Sequence, residues 1–305
     1  MKNILVAGGT GMIGKALTDL LLLKGYHVTI LTRQEKDPAN GVAYAHWDID
    51  KNTIDDDAVA AADVIVHVAG ENVGKGRWTN KRKKQILESR TKTSSILIDA
   101  IKRNPSKQRA FISASAIGWY GTDPVIPNPH PFTENMPHAP GFLGETCKAW
   151  EESVRPAATL QCRLVILRTG IVLSREGGAY PEYLKPIKFG MATILGSGEQ
   201  MISWIHVDDL ARLYLYAIEQ PAIEGIYNAV APQAVNNRTM ILTIAQQARK
   251  AFYLPLYVPA FALKLALGEM SIEVLKSTTV SDEKIRQAGF NFIYPSIEAA
   301  VKALQ

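Results

Sequence analysis

Cysteine is scarce in this chain, and so are long apolar runs; each shortage excludes a class of protein. The 305 residues include two cysteines, Cys147 and Cys162, too few for a disulfide framework and not at the spacing of a metal site. We therefore expect a cytoplasmic protein without a metal ion. The most apolar late stretch, residues 253–268, is interrupted by two prolines and a lysine. It is too short to span a bilayer, so we expect it to pack within a C-terminal lobe.

Strong charge of either sign is also missing. The chain has 34 Lys and Arg against 29 Asp and Glu, a formal net charge of +5. The basic residues that cluster in sequence fall on one predicted helix and the loop before it: Lys75, Arg77, Lys81, Arg82, Lys83, Lys84, Arg90 and Lys92. No nucleic-acid-binding motif accompanies them, so we expect a solvated helix face whose inner members attract phosphates. We expect neither a nucleic acid nor a membrane as a partner.

A glycine-rich turn follows the first predicted strand, residues 3–7, and leads into an amphipathic helix, residues 13–24. It contains Gly8, Gly9, Thr10, Gly11, Met12, Ile13 and Gly14. Such a turn lets the backbone approach a pyrophosphate, which then lies at the positive helix N-terminus. Gly8 or Gly9 would allow the tight turn, and Gly11 leaves room for the phosphates. Gly14 lets the helix pack closely on the strand. The spacing predicts a dinucleotide-binding site.

The second predicted strand, residues 26–32, ends without the acidic residue that would hold a ribose 2′-hydroxyl in an NAD-binding domain. Thr32 and Arg33 stand there instead, and the planar cation of Arg33 suits a 2′-phosphate. This ending favours NADP over NAD as the cofactor. The alternative is that Arg33 is a solvated residue after a strand, as exposed arginines commonly are.

Short apolar or β-branched runs alternate with helical patterns in the first half of the chain. Further strands are expected at residues 43–47, 64–68, 110–115 and 164–169. This alternation predicts an α/β fold, a Rossmann-type doubly wound parallel sheet whose ligands bind beyond the carboxyl ends of the strands. Val68, Ala69 and Gly70 lie at one such end, where a cofactor could pass over the backbone. Asp48 lies at another, where it either accepts from an adenine amino group or caps a turn.

Motifs spread over nearly the whole chain resemble those of one family. Residues 8–14, 66–70, 113–115 and 204–211 are similar to an extended short-chain dehydrogenase/reductase of the nucleoside-diphosphate-sugar epimerase type. Residues 70–72, 77–78, 88–90, 150–151, 167–173 and 196–198 narrow the resemblance to the "epimerase family protein" subgroup, which includes the bacterial YfcH-like proteins. Residues 258–261, 267–270, 288–290 and 294–295 resemble the small C-terminal domain of unknown function that closes these chains.

The resemblance implies where a cofactor binds. The matching positions are Thr32 and Arg33 at the adenosine phosphate, Val68 and Ala69 near the pyrophosphate and ribose, and Val172 on the nicotinamide side. Arg90 falls on the helix after the fourth strand. We expect it either to turn inward toward the cofactor's ribose or phosphates, or to be an ordinary surface arginine.

The proton-transfer helix of the superfamily is altered in this chain. The resemblance implies a Tyr-x-x-x-Lys motif, in which the lysine lowers the pKa of the tyrosine and holds the ribose, and a nearby serine or threonine orients the substrate carbonyl. Lys148 is close to the lysine position, but Gly144 stands where the tyrosine belongs. The serine is kept, as Ser115 or Ser113 at the end of the fifth strand.

Three side chains could replace the missing tyrosine. Tyr120 follows the fifth strand, Glu145 is on the altered helix, and Cys147 could act once deprotonated. The alternative interpretations are that Tyr120 is a packing aromatic, that Glu145 is a surface acid and that Cys147 is a small buried hydrophobe. We predict Ser115 and Tyr120 as the catalytic pair nearest the reacting carbon.

The chain divides into two expected parts. Residues 1–175 form the NADP-binding domain, with a later return of the chain near 225–230, and residues 176–305 form a smaller substrate lobe that includes a small domain at about 250–300. We predict an NADP-dependent oxidoreductase or epimerase-like protein that acts on a small polar or nucleotide-linked substrate. The alternative is an NADP(H)-binding sensor whose catalysis is lost. A homodimer is left open, since related proteins pair through the helices after strands four and five.

Overall fold

The fold is built on strands that follow one another with helical crossovers. The structure, a computed structural model, describes residues 2–105, 109–249 and 252–305. The first residue of the predicted cofactor domain, Met1, and the first two of the predicted small domain, Lys250 and Ala251, lie outside the described residues. The strands are β1 (Asn3–Ala7), β2 (His27–Thr32), β3 (Val42–Asp48), β4 (Thr53–Ile54), β5 (Val64–His67), β6 (Arg109–Ala116), β7 (Cys162–Thr169), β8 (Ile171–Ser174), β9 (Gly177–Gly178), β10 (Met191–Leu195), β11 (Met201–Ile202), β12 (Trp204–His206), β13 (Gly225–Ala229), β14 (Val235–Asn236) and β15 (Leu254–Val258).

Helices connect these strands and cover the sheet. They are α1 (Met12–Leu23), α2 (Asp56–Ala61), α3 (Asn80–Arg103), α4 (Phe142–Val154), α5 (Pro156–Thr159), α6 (Ala179–Lys188), α7 (Val207–Glu219), α8 (Asn237–Arg249), α9 (Ala260–Leu267), α10 (Ser271–Leu275), α11 (Glu283–Gln287) and α12 (Ile297–Ala303). Short 3₁₀ turns lie at Ile117–Trp119 and Gly268–Met270. None of the helices in the described ranges is both long enough and apolar enough to cross a lipid bilayer.

The main sheet has the strand order β13-β7-β6-β5-β1-β2-β3-β4. All neighbours are parallel except β3 and β4, which are antiparallel at one edge. The register is level at the carboxyl ends, because Ala7 of β1 lies opposite both Leu31 of β2 and His67 of β5. The predicted Rossmann-type doubly wound sheet is therefore confirmed, and its strand ends form the shared edge where ligands bind in such folds.

The two faces of the sheet are covered by different helices, as the alternation of side chains along each strand requires. Ile4 and Val6 of β1 pack with Leu17 of α1 and with apolar residues of α7. Leu5 of β1 lies on the other face, in a cluster that includes Leu97 of α3. Both clusters are buried, so the strands read as continuous apolar runs rather than alternating ones.

Several elements of the second half belong to the body of the main sheet. β13 pairs with β7 at the edge of the main sheet, and α7 packs against α1. The remaining lobe has its own core, in which Tyr180 of α6, Trp204 of β12 and Ile241 of α8 are fully buried. The lobe with this second core is made of separate stretches of the chain after residue 175, since α7 and β13 lie with the main sheet.

The C-terminal segment is tied to the loop that follows β6. The buried carboxylate of Asp123 accepts from Ser277 Oγ at 2.8 Å and from both the backbone nitrogen and Oγ1 of Thr279, at 3.0 and 2.8 Å. Asn128 Nδ2 donates to the same carboxylate at 2.9 Å. These bonds hold residues 277–279 across the loop that carries Tyr120.

Residues 253–268 do not pack as the sequence suggested. Four of the five residues of β15 are exposed, and α9 buries only Leu263. The expectation that this stretch forms packing surface inside the lobe is therefore wrong for most of its length. Its apolar composition predicts that its side chains are buried against other apolar residues, but most of them are not covered by the described part of the chain.

Candidate functional site

The glycine loop after β1 is closed by two contacts that leave no room for a side chain. Gly8 has φ +91°, and a Cβ there would lie 2.6 Å from the backbone nitrogen of Ala69. A Cβ on Gly14 would overlap the carbonyl oxygen of Gly8 and lie 2.6 Å from Gly9 Cα. The loop is therefore pressed between the end of β5 and the first turn of α1.

The first turn of α1 presents free backbone donors at this loop. Gly11 is the N-cap, no side chain caps the helix, and the first turn carries no acidic residue. The amides of Met12, Ile13 and Gly14 have no acceptor within the helix, as at any helix start. A Cβ on Gly11 would touch only the Gly8 carbonyl oxygen, at 3.4 Å. Open space and uncapped donors of this kind fit the pyrophosphate of a dinucleotide.

At the end of β2, Arg33 is exposed and makes no hydrogen bond or ion pair with the residues that the structure describes. Thr32 before it is buried and accepts from the backbone nitrogen of Gln34 at 3.3 Å. Arg33 is thus a free cation at the edge where the strand ends meet, and the arrangement fits a phosphate on the adenosine ribose. Its contact with a cofactor stays a prediction.

Asp48 caps a turn. Its Oδ1 accepts from the backbone nitrogens of Asp50 and Lys51, at 3.0 and 3.1 Å. The bond from Lys51 is the main cause that lowers the pKa of the Asp48 carboxyl. The hydrogen bonds expected of a turn cap are therefore present at Asp48, and its contact with an adenine stays a prediction.

Arg90 turns inward beneath the loop that follows β5. Its Nη2 donates to the Glu71 carbonyl oxygen at 3.1 Å, and its guanidinium lies 5.0 Å above the ring of Trp150. Burial lowers the pKa of Arg90. A Cβ on Gly70 would lie 3.2 Å from Arg90 Cζ. Gly70 thus makes room for this arginine, a packing role beyond the predicted one of letting a cofactor pass; Val68 and Ala69 beside it are half-buried.

The β8–β9 hairpin borders the glycine loop. Val172 of β8 is half-buried. A Cβ on Gly177 of β9 would lie 3.5 Å from Met12 Sδ, and Lys15 Nζ lies 3.7 Å from a carboxylate oxygen of Glu176. The position of Val172 next to the loop is compatible with the nicotinamide contact that the resemblance implies.

Ser115, one of the two predicted catalytic residues, belongs to a buried ionic network. Its Oγ lies 2.7 Å from Glu151 Oε1. Arg168 holds the same carboxylate through two bonds, Nε to Oε1 at 2.8 Å and Nη2 to Oε2 at 2.9 Å. Ser115, Glu151 and Arg168 are 2%, 1% and 0% exposed. A carboxylate only accepts hydrogen bonds, so Ser115 donates its single proton to Glu151 and keeps only lone pairs for a ligand.

Tyr120, the other predicted catalytic residue, is the next member of the network. Arg168 Nη1 donates to Tyr120 Oη at 3.0 Å, so the phenolic proton is donated to Asn228 Oδ1 at 2.7 Å. Burial raises the pKa of Tyr120 to about 12. Both predicted catalytic hydroxyls therefore have their protons engaged inside the protein. Their catalytic roles stay predictions.

The register of three neighbouring strands brings this network together. Arg168 of β7 lies directly opposite Ser115 of β6 and opposite Asn228 of β13. Glu151 then reaches the same point from α4. Glu151 and Asn228 were not predicted as site residues. One signal was available: an arginine inside an apolar strand needs a buried acidic partner.

The tyrosine missing from α4 could not be restored by a simple substitution. A Cβ on Gly144 would overlap the carbonyl oxygen of Ala139, so the backbone there accepts only glycine. Lys148, one turn later, is half-buried and has no hydrogen-bond or ion-pair partner in the described ranges. The backbone around this helix is therefore built for a site without the tyrosine.

The two other candidate proton donors are less suited to the task. Burial raises the pKa of the Cys147 thiol to about 12, and Sγ lies 3.6 Å from the Ala116 carbonyl oxygen. Glu145 is exposed, and its Oε1 lies 3.0 Å from His138 Nε2. Cys147 thus stays a neutral thiol at neutral pH, and Glu145 points to solvent at the surface of α4.

Comparison with known proteins agrees with this geometry. The model of the NAD dependent epimerase/dehydratase family matches residues 4–229, and a domain of unknown function, DUF1731, matches residues 258–304. The chain belongs to the NAD dependent epimerase/dehydratase family. The resemblance predicted from the sequence, including its C-terminal domain, is therefore confirmed.

Family members of similar length are found in bacteria. The epimerase family protein SSP1921 of Staphylococcus saprophyticus is 35% identical over 100% of this chain and 99% of its own length. The epimerase family protein YfhF of Bacillus subtilis is 34% identical over 99% of this chain and 97% of its own length.

Solved structures of the family share the fold. Human epimerase family protein SDR39U1, determined with NADPH, superimposes with a TM-score of 0.85 at 29% identity, over 99% of this chain and 98% of that one. UDP-glucose 4-epimerase of Thermus thermophilus, in complex with NAD, gives a TM-score of 0.75 at 19% identity, over 99% and 98% of the two chains. A nicotinamide dinucleotide is thus the cofactor of the family.

Two glycine substitutions separate the folding role of the loop from its binding role. We expect Gly14→Ala to lower the free energy of unfolding by about 1–3 kcal/mol, because the new Cβ overlaps backbone. Gly11→Ala should change it by less than about 1 kcal/mol, yet weaken dinucleotide affinity by about tenfold or more, because its Cβ would occupy the open space proposed for the phosphates. Urea unfolding and fluorescence titration measure the two effects. Equal effects of both substitutions on stability would contradict this assignment.

The buried ion pair between Glu151 and Arg168 should contribute strongly to the free energy of unfolding. We expect Glu151→Ala to cost about 3–5 kcal/mol of unfolding free energy, because it leaves Arg168 buried without a counter-charge. Replacing the pair with Leu at 151 and Met at 168 should recover part of that loss. The exposed pair of Asp56 and Arg103, 2.8 Å apart, is the control, and Asp56→Ala should cost about 0–1 kcal/mol. Urea unfolding of all three variants tests this, and similar losses for Glu151→Ala and Asp56→Ala would contradict it.

Proposed function

We propose that this chain is an NADP(H)-dependent oxidoreductase or epimerase-like enzyme acting on a small polar or nucleotide-linked substrate. The observation that carries the proposal is the pairing of an uncapped glycine loop with the free cation of Arg33 at the end of β2. The loop suits a pyrophosphate, and Arg33 suits the additional phosphate that distinguishes NADP from NAD. The NADPH bound to human SDR39U1, at 29% identity, supports the same choice.

When bound, NADP(H) supplies or accepts a hydride at the nicotinamide, and residues of this chain hold it in place. The amides of Met12 and Ile13 would bind the phosphates, and Arg33 would bind the 2′-phosphate. Lys148, half-buried and without a partner in the described ranges, is our candidate donor to the ribose hydroxyls. Ser115 lies on β6 and offers lone pairs to a donor group of the substrate or cofactor.

The cofactor choice is tested at Arg33. We expect Arg33→Asp to weaken NADPH affinity by about tenfold or more, because a charge-assisted contact to the 2′-phosphate becomes a repulsion. NADH affinity should change little. Lys302→Asp, the same charge change at an exposed position of α12, is the control. Titration of each variant with NADPH and NADH measures the effect. Wild-type protein that binds both cofactors equally, or Arg33→Asp with unchanged NADPH affinity, would contradict the proposal.

A second candidate function is supported by the hydrogen-bond network. The protons of Ser115 and Tyr120 are both donated to buried protein acceptors, and Gly144 replaces the superfamily's tyrosine. A protein that binds NADP(H) without chemistry, as a sensor, needs no proton donor. We keep this alternative because the phosphate end of the site does not depend on the proton-transfer end.

Turnover separates the two candidates. If the chain is an oxidoreductase, a panel of carbonyl, sugar-nucleotide and quinone substrates should include one that changes NADPH absorbance, and Ser115→Ala should lower kcat by about tenfold, because it removes the hydrogen-bond acceptor that Ser115 offers. Ser95→Ala, at an exposed position of α3, should leave kcat unchanged. Retained activity in Tyr120→Phe would remove that residue as the acid. NADPH binding without turnover of any substrate would favour the sensor.

A further inference from the structure

The side chain of Met12 is the point at which the glycine loop meets the β8–β9 hairpin. A Cβ on Gly177 would lie 3.5 Å from Met12 Sδ, 3.8 Å from its Cβ and 4.0 Å from its Cγ. A Cβ on Gly178 would lie 3.5 Å from Sδ and 3.6 Å from Cε of the same methionine. The methionine side chain therefore runs along both glycines, in the space that their missing Cβ atoms leave.

The tip of the hairpin depends on this contact. Gly178 has φ +75°, and a Cβ there would lie 2.9 Å from the Val172 carbonyl oxygen, so the hairpin accepts no larger residue at that position. A second link between the hairpin and α1 is weak: Lys15 Nζ lies 3.7 Å from a Glu176 carboxylate oxygen, and the two side chains are 59% and 62% exposed. Exposed ion pairs contribute little to stability. The thioether of Met12 is therefore the firmer of the two links.

The contact lies at the protein surface. Met12 is half-buried, and the two residues before it, Thr10 and Gly11, are exposed. Peroxides oxidise the thioether of a methionine that solvent reaches, and a methionine enclosed in a core is protected. Met240 of α8, 0% exposed, is of the enclosed kind. Met12 instead stands where a small oxidant in solution meets the glycine loop.

We propose that Met12 is an oxidation site whose sulfoxide weakens dinucleotide binding. Hydrogen peroxide transfers one oxygen atom to Sδ: the O–O bond breaks and an S–O bond forms. The sulfur loses two electrons, and the peroxide is reduced to water. This inference rests on the proposed NADP(H) site, because the backbone N–H of the same methionine is one of the donors proposed for the phosphates.

The sulfoxide acts on the hairpin through size and polarity. The added oxygen enlarges a side chain that already fills the space beside Gly177 and Gly178, and it makes an apolar contact polar. The hairpin then separates from the glycine loop. Val172, which the family resemblance places on the nicotinamide side, is part of β8 and moves with the hairpin. Oxidation thus disturbs two parts of the proposed cofactor site at once.

Peroxide treatment of the full chain, followed by titration with NADPH, tests the proposal. We expect NADPH affinity to fall by about tenfold once peptide mass spectrometry shows sulfoxide at Met12, and to recover after treatment with methionine sulfoxide reductases. The two cysteines are buried, which separates this effect from thiol oxidation. Affinity before and after peroxide is compared within each variant, so that a direct effect of the substitution cancels.

Two leucine variants give the matched comparison. In Met12→Leu, which has no thioether, peroxide should change NADPH affinity by less than about twofold. Met191→Leu removes a methionine that is 38% exposed on β10, and this variant should stay as sensitive to peroxide as the wild type. The half-buried Met136, Met201 and Met270 remain oxidisable in both variants, so any effect of their oxidation appears in both.

Hydrogen exchange of residues 171–178 reports on the hairpin without any cofactor. Peroxide should speed this exchange in the wild type and leave it unchanged in Met12→Leu. The proposal is overturned if Met12→Leu loses as much affinity as the wild type, or if Met12 is fully oxidised while NADPH affinity stays the same. It is also overturned if Met12 stays reduced where Met191 is fully oxidised. Untreated wild type that binds neither NADPH nor NADH would instead count against the proposed function.

Discussion

The ion pair between Glu151 and Arg168 holds together the part of the molecule where chemistry is expected. Burying two charges is costly, and the cost is offset only when every donor and acceptor is matched. Here the carboxylate accepts three bonds, and the guanidinium also lies 3.7 Å from the ring of Trp119. The pair therefore links α4 to β6, β7 and the loop after β6, and the C-terminal segment closes over that loop through Asp123.

The proposed site has two ends, and they depend on different physics. The end proposed to bind phosphates is made of backbone: positive φ at Gly8, the close approach of Gly14, and uncapped amides of α1. It needs glycines at fixed spacing and little else. The other end is made of buried side chains whose protons are already engaged. Its hydrogen bonds therefore depend on how the strands of the sheet and α4 are placed relative to one another. A change in α4, such as the glycine at 144, is enough to alter this end of the site.

Local features were predictable from the sequence and long-range ones were not. The bounds of β1 and the glycine loop follow from a short apolar run and from spacing, which are properties of neighbouring residues. The network around Arg168 depends on the register of β6, β7 and β13 and on the docking of α4, which no local pattern encodes. The need for glycine at 144 was also not predictable, because it comes from the close approach of the Ala139 carbonyl oxygen. For residues 253–268, the apolar composition predicts burial against other residues, whereas most of β15 is exposed.

The central claim is that the glycine loop and Arg33 together form an NADP(H) site. The most direct measurement is a crystal structure of the chain with NADPH. We predict the pyrophosphate against the amides of the first turn of α1, and the 2′-phosphate within hydrogen-bond distance of the Arg33 guanidinium. A dinucleotide bound elsewhere, or a 2′-phosphate that faces solvent away from Arg33, would contradict the account.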